Sequence, residues 1–172
     1  FDGLVYNVER VMQECLAIKP DLIFLWDEAW FAFARFSPTY RLRTAMNAAN
    51  VLRERLRSED HLKKYNEQQA ALEGADDETL LKTRLIPPPH ARVRAYATQS
   101  THKTLTSLRQ GSMIHVNDQD FKGEVEQSFH EAYMTHTSTS PNYQIIASLD
   151  VGRRQVELEG FEFVQRQVEA AV

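Results

Sequence analysis

The chain has 172 residues, 42% of them hydrophobic and 26% charged, enough for one folded unit with a real core. Twenty Lys and Arg against twenty-four Asp and Glu give a net charge of −4, which supplies no electrostatic case for nucleic acid or an anionic membrane as partner. No apolar run approaches the roughly twenty residues of a membrane helix, and Cys15 is the single cysteine, which rules out a disulfide within the chain and suggests a cytoplasmic setting. No signal-peptide pattern is present, and the start at Phe1-Asp2-Gly3, without Met, suggests a piece of something longer.

Val8, Val11, Met12 and Cys15 recur at helical spacing, so a helix is predicted from about Tyr6 to Ile18, stopped by Lys19-Pro20, with Cys15 packed in its apolar stripe. Asp21 to Trp26 is apolar without alternation and reads as a strand buried on both faces, as in a parallel sheet. It runs into Asp27-Glu28. Tyr40 to Leu72, rich in Ala, Leu, Arg, Glu, Lys and Gln, reads as one or two helices. Gly74 to Glu78 is a break or a new helix start, and Pro87-Pro88-Pro89 is a stiff connector. With charge on most faces, residues 40–91 read as a solvated helical insertion or linker, or else as a lid or an oligomer contact. Arg92 to Thr98 and Ser112 to Val116 read as strands, with a short helix or turn between them at Thr104 to Arg109. Phe121, Val125, Phe129, Ala132 and Tyr133 trace a helical face, whose aromatic residues are expected in the core. Ser140-Pro141 suggests a capped helix start, the helix running to about Val156 with another from Leu158 to Val172. The fold class is α/β.

Two residues stand out chemically. Lys103 lies in a small polar turn after a strand, where a pyridoxal phosphate enzyme places its Schiff-base lysine; the amine must be neutral to attack an aldehyde, which desolvation or nearby positive charge favours. Asp27 lies at the end of another strand, where a carboxylate can partner the pyridine nitrogen. Glu28 is its local competitor, and a plain helix cap or surface acid is the alternative for Asp27. His102 could meet the phosphate or deliver a proton, or shape the turn. Ser100 offers a neutral hydroxyl to an anion, or is a turn residue. The remaining histidines, His61, His90, His115, His130 and His136, show no metal-ligand spacing. No glycine-rich nucleotide loop or nucleophile elbow occurs.

Three runs, WDEAWFAFARFSP, YATQSTHKTLTSLRQGSMIHV and FHEAYMTHTSTSPNYQIIASLD, occur in this order. Together they resemble the bacterial ornithine/lysine/arginine decarboxylase family, over about Phe1 to Pro38 and Val93 to Gly160. The stretch from about Tyr40 to Arg92 matches poorly and is longer than its counterpart. The resemblance implies the large domain of an aspartate aminotransferase-like, fold-type I enzyme, with pyridoxal phosphate as cofactor. It implies decarboxylation of arginine, lysine or ornithine to the amine and carbon dioxide, in a homodimer or larger oligomer. It gives Lys103 the cofactor amine, Asp27 the ring nitrogen, Ser100 and His102 the phosphate side, and Trp30 a place beside the acid. Ser138 takes the position of a hydroxyl that reaches the neighbouring subunit's substrate, where relatives carry Thr. It further implies that phosphate contacts and a stacking ring lie upstream of Phe1 and a smaller domain downstream of Val172, so that the chain alone binds cofactor weakly or not at all. Another pyridoxal phosphate reaction, such as aminotransfer, and a non-catalytic regulatory or assembly homologue are the alternatives.

Overall fold

The computed structural model describes residues 3–171; Phe1, Asp2 and Val172, the expected end of the last helix, lie outside the described residues. The first helix, α1 (Val8–Ile18), opens at Asn7, whose side chain accepts the Arg10 backbone N–H. It ends before Lys19-Pro20. Val8, Met12 and Leu16 point inward, and Cys15 packs half-buried against the same core.

The sheet has three strands in the order β1 (Ile23–Asp27), β2 (Arg94–Ser100), β3 (Ser112–Asp118). β1 and β2 are parallel, with Phe24 opposite Ala95 and Asp27 opposite Thr98. β3 is antiparallel to β2, with His115 opposite Ala97. β1 and β2 begin two residues later than the apolar pattern suggests, and β2 and β3 continue two further, because the hydrogen-bonded ladder sets strand ends. β1 also departs from the expected two-sided burial. Phe24 is buried, whereas Leu25 is 71% exposed, because β1 is an edge strand with one open face.

The covered face is closed by α2 (Ala45–Leu56), which packs on α1, β2 and β3. Ala45, Ala48, Ala49, Leu52 and Leu56 are all buried, the i, i+3, i+4, i+7 pattern of a core-facing helix. Small side chains on both sides let α2 lie close on Ala95 and Ala97 of β2. The solvated-insertion reading therefore fails for α2, which supplies much of the core. It describes the next two helices better. α3 (Glu59–Leu72) buries only His61 among its residues, and α4 (Asp77–Lys82) buries none. Thr44, Ser58 and Asp76 cap the three helices by accepting the N–H groups of Asn47, His61 and Thr79. His61 Nε2 donates to the Pro87 carbonyl at 2.8 Å, tying the proline connector to α3. The Arg92 N–H then donates to the Pro20 carbonyl at 2.6 Å, so β2 starts beside the entry to β1.

Beyond β2 comes a four-residue helix, α5 (Thr101–Thr104), three residues earlier than the short helix or turn expected there. A π-helical turn at Phe121–Val125 leads into α6 (Glu126–His136), and α7 (Tyr143–Ala171) completes the chain. Phe121, Phe129 and Tyr133 are not core residues. They form an aromatic ladder on Tyr96, with Tyr96–Phe129 at 6.3 Å, Phe121–Phe129 at 5.3 Å and Phe129–Tyr133 at 6.4 Å between ring centres. α7 is one helix of 29 residues, not two. Asn142 rather than Ser140 caps it, Oδ1 accepting the Ile145 N–H at 3.1 Å. Its two internal glycines are contact points: a Cβ on Gly152 would lie 1.8 Å from the Thr106 carbonyl oxygen, and one on Gly160 2.8 Å from the Phe36 ring.

Candidate active site

Both parallel strands end on the same side of the sheet, and the chain's reactive side chains gather there. The ladder continues past β1: the Glu28 N–H donates to the Thr98 carbonyl at 2.9 Å and the Ser100 N–H to the Ala29 carbonyl at 3.3 Å. Pleating sends alternate side chains to opposite faces. Asp27, Thr98 and Ser100 thus share the face away from α2, and Glu28, Ala97 and Gln99 share the face toward it. This alternation separates the two neighbouring acids. Asp27 is exposed, one oxygen accepting the Ala29 N–H at 3.0 Å. Glu28 is buried, and its oxygens accept the Ala45 N–H at 2.6 Å and Gln99 Nε2 at 2.8 Å.

α5 follows β2 directly and carries His102 and Lys103. Its base is fixed by Thr101, a buried residue whose N–H donates to the Gly111 carbonyl at 3.2 Å and whose Oγ1 accepts the Ser107 hydroxyl at 2.9 Å. Lys103 is half-buried, with Nζ over the Trp30 ring at 5.3 Å from its centre, a favourable cation–π distance. His102 Nδ1 lies 2.9 Å from the Gly111 carbonyl. A carbonyl only accepts, so Nδ1 carries the hydrogen and Nε2 is left to meet a ligand.

Five of the six site residues expected from sequence, Asp27, Trp30, Ser100, His102 and Lys103, thus lie at the exits of β1 and β2. Ser138 stands apart, exposed in the loop between α6 and α7, its hydroxyl accepting the Ser140 N–H at 3.1 Å. Among the described residues no group of three or more His, Cys, Asp and Glu side chains could hold a metal. What the sequence reading missed is the buried layer beneath these residues. Gln99 Oε1 accepts from His115 Nε2 at 3.1 Å while its amide donates to Glu28. Position two residues apart on a strand was the available signal, since Ala97 and Gln99 share a face.

An amine, an acid on the neighbouring strand end, a hydroxyl, an imidazole and an aromatic ring are groups that could hold a cofactor bearing an aldehyde, a ring nitrogen and a phosphate. Comparison with known proteins gives the family. Residues 88–172 match the family model described as Orn/Lys/Arg decarboxylase, major domain. The chain is similar to lysine decarboxylase LdcA of Pseudomonas aeruginosa, 35% identical over 157 residues, which is 91% of this chain and 16% of that protein. It is 31% identical over 174 residues to the biodegradative arginine decarboxylase of Escherichia coli, covering 100% of this chain and 18% of that protein. It is 27% identical over 158 residues to the ornithine decarboxylase of Haemophilus influenzae, covering 90% of this chain and 16% of that protein. The chain therefore spans less than a fifth of these relatives. No solved structure matches it. With its second half matching the family model and nearly its whole length aligning to named members, the chain belongs to the Orn/Lys/Arg decarboxylase family.

Proposed function

We propose that this chain carries the lysine-and-acid site of a pyridoxal phosphate-dependent decarboxylase that converts arginine, lysine or ornithine to its amine and carbon dioxide. One observation supports this above the others: a half-buried lysine amine and an exposed carboxylate stand beyond the exits of two adjacent parallel strands. Ligands of open α/β sheets bind at such strand ends, which also suits the fold-type I large domain. The names of the relatives supply the three candidate substrates.

When bound, pyridoxal phosphate supplies the electron sink that accepts the pair left behind by the departing carboxylate. The protein's part is to hold and to orient. Lys103 Nζ would hold the cofactor's aldehyde carbon, and must leave its cation–π contact with Trp30 and shed a proton to do so. Asp27 would hold the ring nitrogen; its second oxygen is the atom for that bond, since the first accepts the Ala29 N–H. Ser100 offers a hydroxyl to the phosphate. His102 meets the phosphate or moves a proton through Nε2 alone, because Nδ1 is committed to Gly111. Donation from Nε2 requires the imidazolium form, which an adjacent phosphate favours. Ser138, on its exposed loop, would reach the substrate of a neighbouring subunit in a homodimer or larger assembly. A lone, half-buried Cys15 suits a cytoplasmic enzyme.

The test is borohydride reduction of the full-length protein with pyridoxal phosphate, followed by peptide mass mapping and by carbon dioxide release from carboxyl-labelled arginine, lysine and ornithine. A phosphopyridoxyl group on Lys103 and release from one of the three are expected. Folded protein left unlabelled at Lys103 would sink the proposal, and label without carbon dioxide release would favour aminotransfer.

A further inference from the structure

Glu28 is a carboxylate buried beneath α2, 6% exposed. Both of its oxygens are taken by neutral donors, the Ala45 N–H and the Gln99 amide, and Gln99 passes the chain of hydrogen bonds on to His115. The bonds cross the sheet from the exit of β1, over β2, to β3. An apolar side chain would fill this space without the desolvation cost of a buried carboxylate. The acid therefore serves geometry more than stability.

We infer that Glu28 is a positioning residue for the Asp27–Lys103 site, an assignment that rests on the cofactor reading above. Asp27 precedes Glu28, and Ser100 follows Gln99. Each pair shares a peptide unit, with its two side chains on opposite faces. Locking Glu28 to Gln99 on the buried face thus fixes the relative register of Asp27 and Ser100 on the open face. The Ala45 bond adds a second constraint. Ala45 is the first residue of α2, so the strand exit is tied to the helix end whose exposed N–H groups favour negative charge. Ser100 leads straight into α5, so the same lock sets the base from which Lys103 projects.

The test uses the full-length protein and three variants: Glu28→Gln, Gln99→Leu, and the swap Glu28→Gln with Gln99→Glu. In the swap the amide and the carboxylate exchange places, so a donor again faces an acceptor across the two strands. Three quantities are measured: the melting temperature, hydrogen exchange of the backbone amides at 27–30 and 99–103 in cofactor-free protein, and pyridoxal phosphate affinity from visible absorbance. Each single variant is expected to exchange faster at those amides and to bind cofactor roughly tenfold more weakly, the scale of one lost buried hydrogen bond. The swap is expected to restore both. Folded single variants with wild-type exchange and affinity would overturn the assignment, as would a swap that restores neither. Wild-type protein that takes up no cofactor would defeat the proposed function instead, and the exchange measurement still decides the role of Glu28.

Discussion

Tyr96 projects from β2 onto the open face of the sheet, its hydroxyl donating to Asp118 Oδ2 at 2.7 Å. Burial, and then that hydrogen bond to a carboxylate, push the phenol up from 10.0 to about 12. Because the folded value lies above the unfolded one, the associated stability is complete below pH 10 and is lost as pH rises through the folded value. Chemical denaturation of wild type and Tyr96→Phe from pH 9 upward should show a steeper fall for wild type, and tyrosinate absorbance should show one of six tyrosines ionising late. If the two proteins lose stability in parallel, the folded state does not hold the Tyr96 phenol above its ordinary value. Asp27 calls for a different comparison. In the proposed function its carboxylate holds the cofactor ring, not Lys103, so Asp27→Asn in the full-length protein should lower decarboxylation roughly a hundredfold or more, the scale of removing one preorganised electrostatic partner. Reductive trapping on Lys103 should survive. Loss of trapping with the fold intact would instead place Asp27 in the binding of the aldehyde.

Helices α2 and α7 show how much of the packing depends on single contacts. Leu52 is fully buried between α2 and the sheet, and Leu52→Ala should cost about 2–5 kcal/mol by chemical denaturation. Gly152 poses a sharper choice, because two effects of opposite sign meet there. Helix propensity alone would make Gly152→Ala stabilising by about 1 kcal/mol. The added Cβ would meet the Thr106 carbonyl oxygen at 1.8 Å, which overpacks the junction of α7 with the loop after α5. Overpacking costs about 1–3 kcal/mol, so a net loss of stability is expected, and a gain would show that α7 can shift at no cost. These elements also mark the limit of what periodicity reveals. α1 was legible because Val8, Met12 and Cys15 recur at helical spacing. The three strands were legible as runs, but neither their order nor the one-sided burial of β1 was. α2 read as solvated because it lies in a stretch rich in charge, and three of its five buried residues are alanines, which carry little hydrophobic signal. α7 read as two helices with a break between Val156 and Leu158, yet no helix-stopping residue stands there and the helix runs on.

At the scale of the molecule, the placement of Asp27 and Lys103 at neighbouring strand ends was legible, and the layer beneath them was not. The two residues draw attention in the sequence because chemistry restricts the residue types that could hold such a cofactor. The Glu28–Gln99–His115 chain depends on strand register, which no local pattern encodes. The exits of β1 and β2 also face outward: Asp27 is exposed and Trp30 is 65% exposed. Charge interactions there are weakened by water. The 172-residue chain expressed alone should therefore keep its helical circular dichroism yet bind pyridoxal phosphate at least about tenfold more weakly than the full-length protein, by titration of visible absorbance. Equal affinity would mean that this chain carries every contact the cofactor needs. The stacking of Lys103 on Trp30 has an optical consequence. Of the two tryptophans, Trp26 is half-buried in the sheet and Trp30 lies under the Lys103 amine. A chromophore attached at Lys103 would sit within a few ångströms of one indole donor, so excitation of that donor would pass to it rather than be emitted. Occupancy of the site could then be followed as quenched ultraviolet fluorescence, reduced in Trp30→Phe, without any assay of turnover.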